Sequence, residues 1–299
     1  METINTKTAF IAIVGCPNVG KSSILNKMLG QKIAIVSDKP QTTRTRIMGV
    51  LTKEETQLVF TDTPGYHRPH NKLGEKMIKA VSDSISGVDA CMLVIEPTGE
   101  LRAAEVELIE KFKKEKMPVV LVINKIDTIA QKSDLMLRVA KMSALYDFEA
   151  VVPVSALKND GIDVLEKELV KLAFPSQHFF PDDTLTDQPE RVIAAEIIRE
   201  KMLRLLDKEI PHGVAVSIEK MRERSDKNLI DVEATIYCEK ESHKGIIIGK
   251  KGAMLKKIST YARQDMEKFF DCKINLQCWV KVKDGWRNRE GLIHNFGLD

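Results

Sequence analysis

The chain has 299 residues, of which 43% are apolar and 30% are charged, and its formal net charge is +3. This length and composition predict a globular protein with room for two hydrophobic cores. The apolar stretches are all far shorter than a membrane span, which excludes a transmembrane helix and leaves only peripheral membrane contact.

The cysteines and the first residues indicate the compartment. The five cysteines are odd in number, form no CxxC pair and have no nearby histidine at zinc spacing. Residues 1–8 are polar and lack the apolar core and cleavage site of a signal peptide. These features predict a reduced, cytoplasmic protein.

The first part of the chain alternates short β-rich runs with runs of helical period. We predict strands at 9–14, 47–53, 56–61, 90–95, 118–123 and 150–154, and helices at 21–29, within 71–85, and at 100–116, 133–146 and 161–173. This alternation predicts a mostly parallel α/β sheet covered by helices. The strands at 47–53 and 56–61 are adjacent and predict a hairpin, which gives the sheet one antiparallel edge strand.

The segment after the first predicted strand matches the phosphate-binding pattern GxxxxGK[ST]. Its residues are Gly15, Cys16, Pro17, Asn18, Val19, Gly20, Lys21 and Ser22. In such a loop the backbone N–H groups surround an anion, and the following helix adds positive potential. Lys21 would supply a charge to the β- and γ-phosphates, and Ser22 would ligate Mg²⁺. The pattern therefore predicts a P-loop site for a nucleoside triphosphate.

A second motif, Asp62-Thr63-Pro64-Gly65, follows the strand at 56–61. Asp62 would reach Mg²⁺ through water, and the Gly65 N–H would meet the γ-phosphate. Ras-like enzymes carry a water-orienting glutamine directly after this glycine, whereas here Tyr66 follows it. We therefore expect Tyr66 to retract and the intrinsic rate of hydrolysis to be low.

The motif Asn124-Lys125-Ile126-Asp127 identifies the base. The Asp127 carboxylate can accept hydrogen bonds from N1–H and the 2-amino group of guanine, and adenine has neither donor. Leaving a buried charged acceptor unpaired would cost roughly 1.5–3 kcal/mol per hydrogen bond, which disfavours ATP. We expect Asn124 to bridge two loops and Lys125 to lie along the base plane.

The last nucleotide segment is Ser155-Ala156-Leu157, in which the Ala156 N–H would donate to guanine O6. The four segments in this order resemble the motif set of translation-factor-type GTPases over about residues 5–174. The resemblance implies that Lys21, Thr43 and Gly65 are the catalytic groups and that Ser22, Thr43 and Asp62 are the metal-binding groups. Thr43 is favoured as the threonine that closes over Mg²⁺, and Thr42 is the alternative.

Potassium dependence is a further hypothesis from this resemblance. Some GTPases with a hydrophobic residue after the glycine use a K⁺ ion that is held by an asparagine of the phosphate loop. Asn18 matches that position. Rates of hydrolysis in potassium and sodium buffers would decide the question.

The periodic pattern stops between Phe174 and Pro189, where prolines and polar residues predict a linker at 177–189 between a domain at 5–176 and a domain at 190–299. Beyond it we predict a helix at 190–209, strands at 214–221 and 229–238, a helix at 253–270, a strand at 273–283 and a last helix from Trp286, which is an α-β-β-α-β order. Residues 240–289 contain 13 Lys or Arg against 5 Asp or Glu, so positive charge is concentrated in this second domain.

A GxxG loop, Gly249-Lys250-Lys251-Gly252, precedes the predicted helix at 253–270. KH modules clamp about four nucleotides of single-stranded RNA with such a loop. The region resembles an α+β type II KH domain, and the candidate RNA-binding residues are Lys244, Ile248, Gly249, Lys250, Lys251, Gly252, Lys256 and Lys257. Trp279 either packs in the core or offers a platform for a base, and the sequence leaves both open.

A GTPase domain followed by a type II KH domain, with WVKVK near the end, resembles the Era family of bacterial GTPases over essentially the whole chain. This resemblance implies GTP or GDP with Mg²⁺, binding to the 3′ end of 16S ribosomal RNA, a role in assembly of the 30S subunit, and a monomer associated peripherally with the inner face of the cell membrane. It also suggests a switch in which GTP orders Thr43 and re-orients the KH domain. Two alternatives stay open: an RNA-binding scaffold with a structural nucleotide, and a tRNA-modification GTPase, which would need an extra catalytic module.

Overall fold

The computed structural model describes residues 5–39, 41–66, 69, 71–207, 210–224 and 228–298, which form two compact units. The first unit contains Met1–Ala34, Thr43–Arg68 and Met77–Asp187, and the second contains Ile35–Thr42, Pro69–Lys76 and Gln188–Asp299. The division after Asp187 falls inside the predicted linker. The second unit also includes two short segments from the earlier part of the chain, which the sequence analysis did not assign to it.

The first unit is a helix-covered sheet. Its elements are β1 (Lys7–Val14), α1 (Lys21–Leu29), β2 (Ile47–Lys53), β3 (Thr56–Asp62), α2 (Lys72–Ile85, of which the part from Met77 belongs to this unit), β4 (Ala90–Ile95), α3 (Ala103–Glu115), β5 (Val119–Ile123), α4 (Lys132–Ser143), β6 (Ala150–Pro153), α5 (Ile162–Val170) and β7 (Phe174–Pro175). The strand order is β2-β3-β1-β4-β5-β6, with only β2 antiparallel along this path. The predicted sheet with its antiparallel edge strand is confirmed, and β7 adds a short antiparallel pair with β1.

The central strands β4 and β5 are apolar along their whole length, so both faces of the sheet must be covered. Every residue of β4 and β5 is buried, so these strands are continuous apolar runs and not alternating ones. The carboxyl ends of parallel strands meet at one edge of such a sheet. The loops after β1, β3, β4, β5 and β6 therefore come together there and form the candidate nucleotide site.

Part of the predicted linker is packed against the first unit. The fully buried side chain of Gln57 accepts the N–H groups of Phe179 (2.9 Å) and Phe180 (3.0 Å) and donates to the Phe180 carbonyl (2.9 Å). On the edge strand, the Val50 N–H donates to the Leu185 carbonyl (2.9 Å). A buried amide must fill its hydrogen bonds and a strand edge gains from being covered, so the segment is held in place.

The second unit is an α+β domain. Its elements are α6 (Glu190–Leu205), β8 (Ala215–Arg224), β9 (Leu229–Cys238), α7 (Glu241–Ile248), α8 (Ala253–Phe270), β10 (Lys273–Val282) and α9 (Glu290–Asn295). The sheet has the order β10-β9-β8, with β9 antiparallel to β8 and parallel to β10. Residues of α6, α7 and α8 pack on the sheet in one core that includes Ile197, Ile247 and Ile258.

The predicted α-β-β-α-β order was wrong because it lacked α7. This helix contains a glycine and three consecutive isoleucines, which are weak helix formers, so its local composition does not indicate a helix. Packing stabilises it instead, because Ile247 is fully buried in the core. The observed order is α-β-β-α-α-β.

Two helix boundaries in the second unit also differ from prediction. Helix α6 ends at Leu205, and the last two residues of the predicted helix, 208 and 209, lie outside the described residues. Trp286 begins a 3-10 turn and not the last helix, and its indole donates to the Gly213 carbonyl (2.9 Å). None of the helices in the described part of the chain has the length and apolar character needed to cross a membrane.

Candidate nucleotide and RNA sites

Three glycines allow the nucleotide loops to approach one another. Gly15 has φ 146° and Gly20 has φ 98°, a region that side chains with a Cβ rarely adopt. A Cβ on Gly20 would collide with the Asn124 amide, and a Cβ on Gly65 would lie 2.6 Å from the Cα of Pro17. The phosphate loop can therefore close against the segments after β3 and β5 only with glycine at these positions.

Lys21 is held over the phosphate loop. Its side chain is 6% exposed, and Nζ donates to the carbonyl oxygens of Gly15 (3.2 Å) and Cys16 (3.0 Å). Burial lowers the pKa of Lys21, and the charge of Asp62 opposes that shift. The arrangement places a cation at the position where a triphosphate would meet the loop.

Ser22, Thr43 and Asp62 form an oxygen cluster. Ser22 Oγ donates to Asp62 Oδ2 at 2.5 Å and lies 3.0 Å from Thr43 Oγ1. Asp62 is fully buried, and burial raises its pKa to about 6 although Lys21 and Ser22 oppose the shift. Its second oxygen, Oδ1, has no hydrogen-bond partner among the described residues. Hydroxyl oxygens and an unsatisfied carboxylate oxygen are ligands that fit Mg²⁺.

The two candidate threonines have different surroundings. Thr43 Oγ1 faces Ser22, whereas Thr42 Oγ1 donates to the Lys39 carbonyl (2.7 Å). The Thr42 carbonyl accepts a hydrogen bond from Arg199. The structure therefore places Thr43, and not Thr42, in the oxygen cluster.

Asn124 connects two loops of the predicted base site. Its Nδ2 donates to the Val19 carbonyl (2.8 Å), and its Oδ1 accepts the Ala156 N–H (3.1 Å). We expected the Ala156 N–H to donate to guanine O6, but it already has an acceptor here, as a buried N–H requires. Asp127 is exposed and accepts a hydrogen bond from the buried Ser155 hydroxyl.

The remaining predicted residues lie in the same loops. Cys16, Val19, Thr63 and Pro64 are buried, Pro17 and Ile126 are half-buried, and Asn18 and Leu157 are exposed. Tyr66 is half-buried against the core around β4 and β5, and its N–H donates to the Gly15 carbonyl (3.0 Å). The two neighbouring histidines, His67 and His70, lie outside the described residues.

The sequence analysis missed Glu96, the first residue after β4. Its carboxylate binds Lys125 Nζ at 2.6 Å and Arg102 at 2.5 Å. The position of Glu96 in the sequence could have identified it, because an acidic residue directly after a buried parallel strand lies at the edge of the sheet where ligands bind.

The GxxG loop is exposed, cationic and tightly turned. Gly249 has φ 71°, and a Cβ there would lie 2.8 Å from the Cβ of Met254. Lys250, Lys251, Lys256 and Lys257 are exposed, whereas Lys244 and Ile248 of α7 are half-buried. Gly252 is the N-cap of α8, whose first turn has no acidic residue. Helix N-termini favour anions, so this end of α8 suits a phosphate backbone.

Trp279 is not a core residue. Its side chain is 45% exposed, and on β10 it alternates with Val280, which packs against the core. The core interpretation of Trp279 is therefore wrong.

Two family models match this chain. A model described as "50S ribosome-binding GTPase" matches residues 10–125, and a model described as "KH domain" matches residues 209–287. GTPase Era of Clostridioides difficile (strain 630) is 50% identical, with 98% of this chain and 99% of the relative covered. GTPase Era of Ruminiclostridium cellulolyticum is 51% identical, with 97% of each covered.

Solved structures agree over the same length. An Aquifex aeolicus Era variant bound to GDP and AlF4⁻ has a TM-score of 0.94 and 37% identity, with 98% of this chain and 99% of that chain covered. An Era complex with MgGDPNP and nucleotides 1506–1542 of 16S ribosomal RNA has a TM-score of 0.94 and the same identity and coverage. Because relatives of about half identity match from one end to the other, with the phosphate loop and the GxxG loop in one chain, this protein belongs to the Era family of GTPases.

Proposed function

We propose that this protein is a magnesium-dependent GTPase that binds the 3′ end of 16S ribosomal RNA and acts in assembly of the 30S subunit. The observation that carries the proposal is the cluster of Ser22, Thr43 and Asp62 beside the buried Lys21, in a chain that also has an exposed GxxG loop. A relative of the same fold binds MgGDPNP together with nucleotides 1506–1542 of 16S ribosomal RNA, which supports both parts.

The nucleotide would be held by groups from each loop. Ser22, Thr43 and Asp62 would hold Mg²⁺, which neutralises phosphate charge when it is bound. Lys21 stabilises negative charge that develops on the phosphates, and the Gly65 N–H donates to the γ-phosphate. The Asp127 carboxylate selects guanine because it accepts hydrogen bonds from the two donors on the Watson–Crick edge of that base.

Hydrolysis by the isolated protein is expected to be slow. Tyr66 packs against the core, and burial, followed by its hydrogen bond to Glu107, raises the pKa of its phenol, so it stays neutral and does not act as a base. Directly after Gly65 the chain therefore has Tyr66 in place of the glutamine that orients water in Ras-like enzymes. Asn18 is the candidate ligand for K⁺, and faster hydrolysis in potassium than in sodium would support that role.

A second part of the proposal is a switch that runs through residues 35–42. This segment belongs to the second unit, where the fully buried Glu200 accepts the Val36 N–H (3.1 Å) and Arg204 donates to the Val36 carbonyl (3.0 Å). Thr42 at its end accepts a hydrogen bond from Arg199. The next residue is Thr43, so ordering of Thr43 by GTP and Mg²⁺ would act directly on a segment held by α6.

The same buried charges continue toward the RNA-binding helix. Lys201 donates to Glu200 (3.0 Å) and forms an ion pair with Asp265 of α8. Buried charges tolerate little change in geometry because an unpaired one is costly. A shift of residues 35–42 would therefore change the position of α8, which follows the GxxG loop.

One experiment tests nucleotide choice. We expect the protein to bind GTP and GDP in preference to ATP and to hydrolyse GTP only with Mg²⁺. Asp127→Asn should weaken GTP binding by roughly 10- to 100-fold and favour xanthosine triphosphate, because the amide replaces an acceptor by a donor. Equal affinity for ATP and GTP would overturn the assignment.

The packed position of Tyr66 is the observation that would fit the alternative, an RNA-binding scaffold with a structural nucleotide. A scaffold would keep its nucleotide and release no phosphate over multiple turnovers, with or without RNA. A GTPase gives continuous phosphate release.

Peripheral association with the membrane is also proposed, and sedimentation with anionic lipid vesicles tests it.

A further inference from the structure

The carboxylate of Glu96 lies beside the loop of the base-recognition motif. Glu96 follows Ile95, whose carbonyl accepts the Asn124 N–H (2.9 Å), so the two loops leave neighbouring strands side by side. One oxygen of Glu96 binds Lys125 Nζ at 2.6 Å, and the other binds Arg102 at 2.5 Å. A single carboxylate therefore connects the base-recognition loop with the start of α3.

Arg102 is itself anchored to a buried ion pair. Its N–H donates to the Glu105 carboxylate (3.0 Å), which also accepts two hydrogen bonds from Arg138 of α4 (2.9 and 3.1 Å). The side chains of Glu105 and Arg138 are 2% and 5% exposed. Buried charge-assisted pairs hold their geometry, so the backbone of Arg102 is fixed, and its half-exposed guanidinium reaches Glu96 from that fixed point.

The backbone of Lys125 is fixed independently of its side chain. Lys125 has φ 67°, and residues 126–128 form a 3-10 turn directly after it. Burial raises the pKa of Glu96, but the hydrogen bond and charge of Lys125 and the charge of Arg102 outweigh burial and hold the pKa below its usual value. Glu96 is therefore ionised at neutral pH and directs the Lys125 ammonium.

We propose that Glu96 is a positioning residue for guanine recognition, which holds the Lys125 ammonium so that the methylene stem of Lys125 lies along one face of the base. This inference rests on the proposed binding of guanine nucleotides. A long side chain that is already held in place loses less rotamer freedom when the base binds, so pre-organisation strengthens binding. Because GDP and GTP share the base, both should depend on Glu96 to the same degree.

The test is nucleotide affinity of the full-length Glu96→Gln variant. We expect the dissociation constants for GDP and for GMP-PNP to rise by the same factor, on the order of tenfold. KM for GTP should rise while kcat at saturating GTP stays unchanged. The melting temperature without nucleotide should also stay unchanged, because partly exposed ion pairs contribute little to stability. Glu100→Gln is the matched control, since it removes an exposed acid from the same loop.

A double-mutant cycle separates this role from a general structural one. Lys125→Met keeps most of the stem but removes the ammonium, so adding Glu96→Gln to it should cause no further loss of affinity. An equal loss in both backgrounds, or unchanged affinity of the single variant, would overturn the positioning role. If the unmodified protein binds no guanine nucleotide, the proposed function itself fails.

Discussion

At the scale of single residues, the fold strongly changes the chemistry of Asp62. It is fully buried, and its Oδ1 has no partner among the described residues. Burial raises its pKa to about 6, so a protein without Mg²⁺ carries a poorly solvated carboxylate at neutral pH. The proposed metal site would thus lower the stability of the protein until a cation occupies it.

This cost predicts a pH-dependent stability of the metal-free protein. The folded pKa of about 6 lies above the ordinary value of 3.8, so the stabilising effect of protonated Asp62 is complete below pH 4 and is lost as the pH rises through 6. At pH 7.5 the loss in the free energy of unfolding is on the order of 3 kcal/mol. Asp62→Asn should remove most of this loss because the amide carries no charge. In EDTA we therefore expect the variant to be more stable than the unmodified protein at pH 7.5 but not at pH 4.

Urea unfolding in EDTA at the two pH values measures this difference. Asp83→Asn, which replaces an exposed carboxylate on α2, should leave both values unchanged. A constant difference between Asp62→Asn and the unmodified protein at both pH values would contradict the buried-carboxylate account.

At the scale of elements, α7, the GxxG loop and α8 form the proposed RNA-binding unit. Helix α7 anchors the loop through the buried Ile247, and Gly249 gives the sharp turn. The lysines of the loop are exposed at the start of α8, where the helix dipole adds to their charge. Packing thus fixes the loop while its cations remain accessible.

The loop lysines predict a specific salt dependence. Lys250→Gln combined with Lys251→Gln should weaken binding to an RNA copying the 3′ end of 16S ribosomal RNA. If each lysine contacts one phosphate, the slope of log affinity against log salt should fall by about 1.4. GTP affinity should not change. Lys132→Gln with Lys141→Gln, a pair of exposed lysines on α4, is the charge-matched control, and an equal effect of both pairs would mean that binding there reflects net charge alone.

At the scale of the whole molecule, the central question is whether nucleotide state changes RNA affinity. The chain passes directly from Thr42, which Arg199 holds, to Thr43 in the oxygen cluster. Coupling free energies between sites usually correspond to 5- to 150-fold changes in affinity, and the effect is reciprocal. We expect tighter RNA binding with a GTP analogue than with GDP.

Arg199→Gln should reduce this nucleotide dependence because it weakens the hold on residue 42. Arg204→Gln gives a second test at a side chain that is 48% exposed, and it removes both the hydrogen bonds to the Val36 carbonyl and the ion pair with Glu200. RNA affinity is measured at one salt concentration with GTP analogue, GDP and no nucleotide. If the unmodified protein shows a difference that persists in both variants, the coupling does not pass through residues 35–42.

The amino-acid sequence by itself determined the order of the nucleotide motifs and the cationic GxxG loop, and it predicts that Asp127 selects guanine. These features depend on local chemistry, because a glycine turn, a carboxylate after a strand or a pair of loop lysines acts through its own few residues. The mostly parallel sheet followed in the same way from the alternation of strands and helices.

Only the tertiary structure put Thr43 rather than Thr42 beside Ser22, paired Glu96 with Lys125, and made Asn124 the acceptor of the Ala156 N–H. It also formed α7 against local propensity. Each of these outcomes depends on a partner far away in the chain. Buried polar and apolar groups come into contact with such partners only when the whole core is assembled.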